Sequence, residues 1–157
     1  MAASRVVVSG VPGRLATAVA EGMMTSEGVD LVGVHNPHRE GAWRGVPYIV
    51  SVNQEVAEVV VEAGPATSVM ANLARWKEGG LAAVVGTSGF TPERLEEVRR
   101  LWGQGAPGCL IVPNFSIGAV LAARFAELAA PHFATVELIE RHRAAKPDAP
   151  SGTALQT

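Results

Sequence analysis

The sequence predicts a doubly wound α/β fold, in which helices cover both faces of a parallel β-sheet. Short runs rich in Val, Ile and Leu alternate along the chain with stretches that have helical spacing. The apolar runs are nearly continuous, which is typical of strands buried on both faces. The first run ends in a glycine-containing turn, S-G-V-P-G-R-L-A, which leads directly into a helical pattern. A strand that passes through such a turn into a helix is typical of nucleotide-binding α/β domains.

The elements follow in alternating order. The β-branched and apolar runs predict strands over residues 5–10, 30–36, 56–64, 81–89, 109–114 and 134–142. The stretches with helical spacing predict helices over residues 14–24, 68–80, 91–102 and 116–130. A Gly-Gly pair ends the second helix, and Thr91 and Pro92 are the expected N-cap and first residue of the third.

Composition excludes several classes of protein. The chain has 157 residues, 48% of them hydrophobic, and a formal net charge of −2, whereas a nucleic-acid binder is usually basic. No run approaches the roughly 20 apolar residues of a membrane span, and the N-terminal apolar run is too short for a signal peptide. We therefore expect a cytoplasmic protein with no nucleic-acid or membrane partner and no metal. The lone Cys109 fits a reduced interior better than a catalytic nucleophile.

The turn after the first strand has the features of a pyrophosphate site. Gly10 and Gly13 would let the backbone approach a phosphate, and Ala16 supplies a third small residue one turn into the helix. The free N–H groups of the helix N-terminus would bind the anion. The spacing is G-x-x-G-x-x-A rather than G-x-G-x-x-G, so a tight turn without a ligand is the alternative.

Two further segments should border the same crevice. Asn36 and Arg39 follow the second strand, where a dinucleotide site usually places a carboxylate on the ribose. Asn36 can bond a ribose hydroxyl, and Arg39 or His38 can pair with a 2′-phosphate, which favours NADPH over NADH. Gly86, Thr87 and Ser88 end the fourth strand at the same edge. A solvated loop and a plain turn are the respective alternatives.

A charged segment near the end of the chain predicts an anion site. His142, Arg143 and Lys146 precede Ser151, a candidate N-cap whose following amides, at Gly152 and Thr153, would face an anion. This chemistry suits a small molecule that carries carboxylates. His142 can also transfer a proton near neutral pH.

Four motifs together resemble the 4-hydroxy-tetrahydrodipicolinate reductase (dihydrodipicolinate reductase) family. Residues 140–154 read E-R-H-R-A-A-K-P-D-A-P-S-G-T-A, similar to the family pattern E-x-H-H-x-x-K-x-D-x-P-S-G-T-A. G-V-P-G-R-L-A, V-V-G-T-S-G-F and P-N-F-S-I-G-A-V precede this segment in the family's order. The resemblance covers essentially the whole chain.

The resemblance implies an oxidoreductase of lysine and diaminopimelate synthesis, which uses NADH or NADPH and acts on a dicarboxylate as a homotetramer. It implies a dinucleotide-binding domain over residues 1–113 and the start of an α+β substrate domain over residues 114–157. His142 and Lys146 match the two proton donors, and Arg143, Gly152 and Thr153 match substrate-binding positions. The cofactor-binding positions implied by the motifs are Gly10, Val11, Pro12, Gly13, Arg14, Leu15, Gly86, Thr87, Ser88, Val112, Pro113, Asn114 and Phe115.

The chain departs from the family pattern in three places. Arg143 stands where the family has a second histidine, and arginine can hold a carboxylate but cannot shuttle protons. Residues 62–65 read Glu-Ala-Gly-Pro where the family has a D-F-[TS]-x-P pattern. Family chains continue well beyond P-S-G-T-A, so we expect this one to lack their C-terminal part. The alternatives are a non-catalytic nucleotide-binding module and another nicotinamide-dependent dehydrogenase, of which the aldehyde type needs a nucleophilic cysteine.

Overall fold

The computed structural model describes residues 2–141, 151 and 154. Its strands, in chain order, are β1 (Ser4–Ser9), β2 (Val29–His35), β3 (Ala42–Trp43), β4 (Val46–Pro47), β5 (Val59–Glu62), β6 (Ala82–Val85) and β7 (Cys109–Ile111). Its α-helices are α1 (Arg14–Met23), α2 (Val69–Glu78), α3 (Pro92–Trp102) and α4 (Ile117–Ala129), and the 3₁₀ helix Ala130–His132 follows α4. By contacts, the chain divides into two compact units, residues 1–112 and residues 113–157.

The main sheet of the first unit has five parallel strands in the order β2-β1-β5-β6-β7. The chain starts in β1, moves outward to β2, and then returns to pair β5 against the other edge of β1. The strand order therefore reverses between β1 and β5, and a crevice forms at the carboxyl ends of such strands.

Side chains on the two faces of this sheet pack into two separate buried clusters. Val7 and Val60 face one cluster together with Leu73 of α2, whereas Val8 and Val61 face the other. The alternation follows from the period of two in a strand, and each face is covered by helices. The doubly wound α/β fold expected from the sequence is confirmed.

The expected helix boundaries are close to those observed. The hydroxyl of Thr91 accepts a hydrogen bond from the N–H of Arg94 at 3.3 Å, so Thr91 is the N-cap of α3 and Pro92 is its first residue. At the end of α2, the N–H of Gly79 donates to the carbonyl of Arg75, and Gly80 has φ of 73°. No helix in the described part of the chain is long and apolar enough to cross a membrane.

A short hairpin lies in a segment for which the sequence predicts only a loop. β3 and β4 are antiparallel and are joined by Arg44 and Gly45, both with positive φ, as in the tight turns that match strand twist. After the hairpin, the N–H of Ile49 donates to the carbonyl of Val34 at 2.8 Å, and Tyr48 forms a parallel bridge with Val34. Two-residue strands have too few residues to show a period, so the sequence pattern does not reveal them.

Two of the expected strands, over residues 56–64 and 134–142, need correction. The segment 56–64 is a strand only from Val59, because the N–H groups of Val56 and Ala57 both bond the carbonyl of Asn53 in a turn. The expected strand over residues 134–142 is wrong for its described part, since residues 134–141 form no strand. A strand needs a ladder partner, and the described residues of the second unit contain no other strand to supply one.

Candidate functional site

A cleft of about 320 Å³ lies at the point where the strand order reverses. It opens at the carboxyl ends of β1, β2 and β5, where ligands bind in open α/β sheets. None of the lining residues that the structure describes is acidic, which suits an anionic ligand. The lining residues are Ser9, Gly10, His35, Asn36, Pro37, His38, Gly64, Pro65, Thr67, Ser68 and Asn72.

The turn after β1 requires glycine at two positions. Gly10 has φ of 104°, and a Cβ atom there would lie 2.6 Å from the carbonyl oxygen of Ala63 and 2.8 Å from the nitrogen of Gly64. A Cβ atom at Gly13 would lie 2.9 Å from the carbonyl oxygen of Gly10. The backbone of the first turn therefore packs directly on the backbone that follows β5. Because both residues are glycines, no side chain covers the backbone of the turn at these two positions.

Helix α1 begins at the edge of this turn without a side-chain cap. Gly13 occupies the N-cap position, no side-chain hydrogen bond caps the helix, and its first turn carries no acidic residue. The amides of Arg14 and Leu15 belong to the first turn, where N–H groups have no intrahelical acceptor. An uncapped helix N-terminus beside bare glycine backbone is suited to bind a phosphate group.

Asn36 holds the loop after β2 against the glycine turn. Its Nδ2 donates to the carbonyl of Val11 at 2.8 Å, and its Oδ1 accepts from the N–H of His38 at 3.0 Å. Both polar atoms of the Asn36 amide therefore have protein partners, a structural role that sequence reasoning missed. Arg39 is exposed nearby and forms no ion pair with any residue that the structure describes, so its cation is available at the end of β2.

The carboxylate of Glu62 is fully buried beneath the cleft. Its Oε2 accepts from the indole Nε1 of Trp76 at 2.8 Å and from the Nδ2 of Asn72 at 3.2 Å. Its Oε1 accepts from the N–H of Gly64 at 2.9 Å. The hydroxyl of Thr87 donates to the carbonyl of Gly64 at 2.9 Å, so Gly64 is held at both of its backbone polar groups. The sequence showed Glu62 only as a departure from a pattern and gave no sign of this network.

The segment after β6 closes the same edge of the sheet. The N–H of Gly86 donates to the carbonyl of Glu62 at 2.8 Å, and Thr87 is buried, whereas Ser88 is exposed. The guanidinium of Arg94 donates to the carbonyl of Gly89 at 3.1 Å. The structure therefore brings Gly86 and Thr87 beside the turn that follows β5, as their position at a strand end predicts.

The remaining candidate cofactor residues follow β7. The N–H of Val112 donates to the carbonyl of Val85 at 2.8 Å, which adds one hydrogen bond between β7 and β6 beyond the end of β7. In the second unit, which begins at Pro113, the Oδ1 of Asn114 accepts from the N–H of Ser116, and the side chain of Phe115 is exposed. The hydroxyl of Ser116 in turn accepts from the N–H of Ala119 and caps α4.

Five candidate residues of the charged segment lie outside the described residues. These are His142, Arg143, Lys146, Gly152 and Thr153. Next to them, the hydroxyl of Ser151 accepts from the N–H of Ala154 at 3.1 Å, which is the contact of an N-cap with the third residue of a helix. The N–H of Ser151 donates to Oε1 of Glu140 at 2.8 Å.

Cys109 is poorly suited to nucleophilic chemistry. It is the first residue of β7 and is partly buried, and burial raises the pKa of its thiol to about 11. The reactive form of cysteine is the thiolate, which burial disfavours. The aldehyde-type dehydrogenase considered above therefore lacks its nucleophile at this position.

Comparison with known proteins identifies relatives over the entire chain. A family model described as "Dihydrodipicolinate reductase, N-terminus" matches residues 4–115, and one described as "Dihydrodipicolinate reductase, C-terminus" matches residues 118–157. The 4-hydroxy-tetrahydrodipicolinate reductase of Moorella thermoacetica is 37% identical over 171 residues, which include 100% of this chain and 64% of the relative. That of Streptomyces avermitilis is 41% identical over 158 residues, which include 100% of this chain and 60% of the relative. The chain thus spans less than two thirds of the length of these relatives.

Solved structures show the same fold. A dipicolinate-bound dihydrodipicolinate reductase from Paenisporosarcina sp. TG-14 superposes with a TM-score of 0.73 at 31% identity, covering 98% of this chain and 63% of that one. A Rex-family repressor superposes with a TM-score of 0.58 at 14% identity, covering 83% of this chain and 61% of that one, which is a likeness of fold alone.

The raised pKa of Cys109 predicts slow reaction with thiol reagents. Because the thiolate is the reacting species, labelling at pH 8 should be roughly a hundredfold slower in the folded chain than in urea-unfolded chain. The labelling rate should rise with pH until about 11. Stopped-time labelling with a maleimide and mass spectrometry measures both rates. Equal rates in the folded and unfolded chain would contradict the burial argument.

Proposed function

Since the chain belongs to the dihydrodipicolinate reductase family, we propose that it acts in the NAD(P)H-dependent reduction of 4-hydroxy-tetrahydrodipicolinate to tetrahydrodipicolinate. This reaction belongs to lysine and diaminopimelate biosynthesis. The observation that carries the proposal is the cleft at the reversal of strand order, with bare glycine backbone and an uncapped helix N-terminus at one end. That combination fits the pyrophosphate of a dinucleotide.

In this proposal the two predicted domains, whose boundary lies one residue after that of the compact units, divide the work. Residues 1–113 bind the dinucleotide, and residues 114–157 begin the substrate domain. The residues that would hold the cofactor are those of the glycine turn, the loop after β2 and the segments after β6 and β7. When bound, the reduced nicotinamide supplies the hydride.

The loop after β2 favours NADPH over NADH. Among its described lining residues the cleft has no carboxylate that would repel a 2′-phosphate, and the Asn36 amide is neutral and already engaged. Exposed Arg39 offers a guanidinium, which can bond a phosphate bidentately.

The chemistry at the substrate is assigned to the charged segment. His142 and Lys146 would donate protons, and Arg143 with the amides of Gly152 and Thr153 would hold a carboxylate. The support is the match of residues 140–154 to the family motif, together with the N-cap contact between Ser151 and Ala154. Helix N-termini bind anions, and the Paenisporosarcina relative has dipicolinate, a dicarboxylate, bound. A cytoplasmic location remains a prediction from composition, and a homotetramer remains a prediction of the family resemblance.

Gly13→Val should weaken dinucleotide binding. The new Cβ atom would lie 2.9 Å from the carbonyl oxygen of Gly10 and displace the turn that approaches the pyrophosphate, so the Kd for NADPH should rise about tenfold or more. Quenching of intrinsic fluorescence during NADPH titration measures the Kd. Gly22→Val is the matched control, because a Cβ atom at Gly22 of α1 meets no atom within 4 Å. Unchanged affinity in Gly13→Val would contradict the phosphate site.

His142→Ala and Lys146→Ala should each lower kcat about a hundredfold or more, the usual scale for proton-transfer groups, with the Kd for NADPH unchanged. The assay follows NADPH absorbance with freshly generated substrate. His132→Ala, which removes an exposed histidine outside the motif, is the control. Undiminished turnover in both variants would refute these roles. Cofactor binding with no turnover in the unmodified chain would instead favour the non-catalytic module.

A further inference from the structure

His35, the last residue of β2, has an unused hydrogen-bond acceptor. Its side chain is 3% exposed, and its Nδ1 lies 2.8 Å from the carbonyl oxygen of Ile49. A carbonyl can only accept, so Nδ1 carries the hydrogen and Nε2 of the neutral ring is left as an acceptor. Nε2 is buried and is the one buried side-chain nitrogen or oxygen, among the residues that the structure describes, without a hydrogen-bond partner. Buried polar atoms are nearly always paired, so this one calls for a ligand or a water.

The ring of His35 is held in place by its surroundings. It packs edge-on against Trp76, with the ring centroids 5.0 Å apart and an interplanar angle of 89°. Trp76 is itself fixed by its hydrogen bond to the buried carboxylate of Glu62. The acceptor therefore has a defined position in a rigid floor rather than on a mobile surface chain.

His35 borders the cleft at the reversal of strand order. The same side chain also borders a second cavity, which Arg75 and Trp76 line, but of the two cavities only the cleft is lined by Gly10 of the glycine turn. The Asn36 amide already has two protein partners, and the Glu62 carboxylate beneath the cleft has three donors, so both of these groups are engaged within the protein. A ligand group that meets Nε2 of His35 would therefore be a hydrogen-bond donor.

We propose that Nε2 of His35 accepts a hydrogen bond from the 6-amino group of the adenine ring, so that His35 selects the base of the dinucleotide. This inference rests on the proposed function. With the pyrophosphate at Gly10 and Gly13, the adenosine extends along the cleft past the end of β2. Its ribose hydroxyls would lie toward residues 36–39, of which 37–39 are exposed, and its planar base would lie near Pro37 and Pro65, which line the cleft. The amino group is the donor that the base offers.

The test compares NADPH with its deamino analogue, in which hypoxanthine replaces adenine. The analogue has a carbonyl oxygen where adenine has the amino group, and an acceptor facing the Nε2 lone pair is unfavourable. For the unmodified chain, fluorescence titration should give a Kd about tenfold or more higher for the analogue than for NADPH. His35→Leu removes the acceptor and should bring the ratio of the two Kd values close to one. His38→Leu changes an exposed histidine of the same cleft and should leave the ratio unchanged.

The outcomes distinguish a failure of the proposed role of His35 from a failure of the proposed dinucleotide binding. Equal affinity of the unmodified chain for the two dinucleotides would overturn the role of His35 while leaving dinucleotide binding intact, and this comparison needs no variant to fold. A ratio that persists in His35→Leu would overturn it too. Binding of neither dinucleotide would overturn the proposed function itself.

Discussion

The buried carboxylate of Glu62 is the constraint on which the cleft depends. Its three N–H donors come from the turn after β5 and from α2, so it joins the end of a strand to the helix that follows. A buried carboxylate that loses a donor is costly, which makes this arrangement rigid. The turn that it fixes is also the surface on which Gly10 packs, within a distance that excludes any side chain. The shape of the glycine turn thus follows from a hydrogen-bond network on the neighbouring strand.

The electrostatic character of the site follows from the same arrangement. The acidic group at the end of β5 is enclosed and has its hydrogen bonds satisfied, so it adds no carboxylate to the part of the cleft lining that the structure describes. An uncapped helix N-terminus stands at one end, exposed Arg39 follows the loop at the end of β2, and the histidine acceptor lies in the floor. Their order matches the parts of a dinucleotide: the helix N-terminus for the pyrophosphate, the loop with Arg39 for the ribose and its 2′-phosphate, and the histidine acceptor for the base. The second unit begins with a capped helix and carries the motif to which the proton chemistry is assigned.

Sequence reasoning reached the fold and the glycine turn because both have local signals. Continuous apolar runs and helical spacing repeat over many residues, Thr91 and Pro92 mark a helix start, and Gly10 and Gly13 stand at a strand end. The roles of Glu62 and His35 were missed because they depend on tertiary partners, Trp76 above all, that lie far along the chain. The expected strand over residues 134–142 failed for a related reason: an apolar run with β-branched residues predicts a strand only where another strand is present to pair with it.

The measurement that tests the account most directly is a ¹H–¹⁵N NMR titration of the purified chain with NADPH. Binding at the cleft predicts saturable shifts of amide signals in residues 10–15, 36–39, 64–68 and 86–88, with α3 and the β3–β4 hairpin unaffected. A lack of saturable shifts, or shifts confined to residues away from these four segments, would contradict the assignment of the cleft as a dinucleotide site.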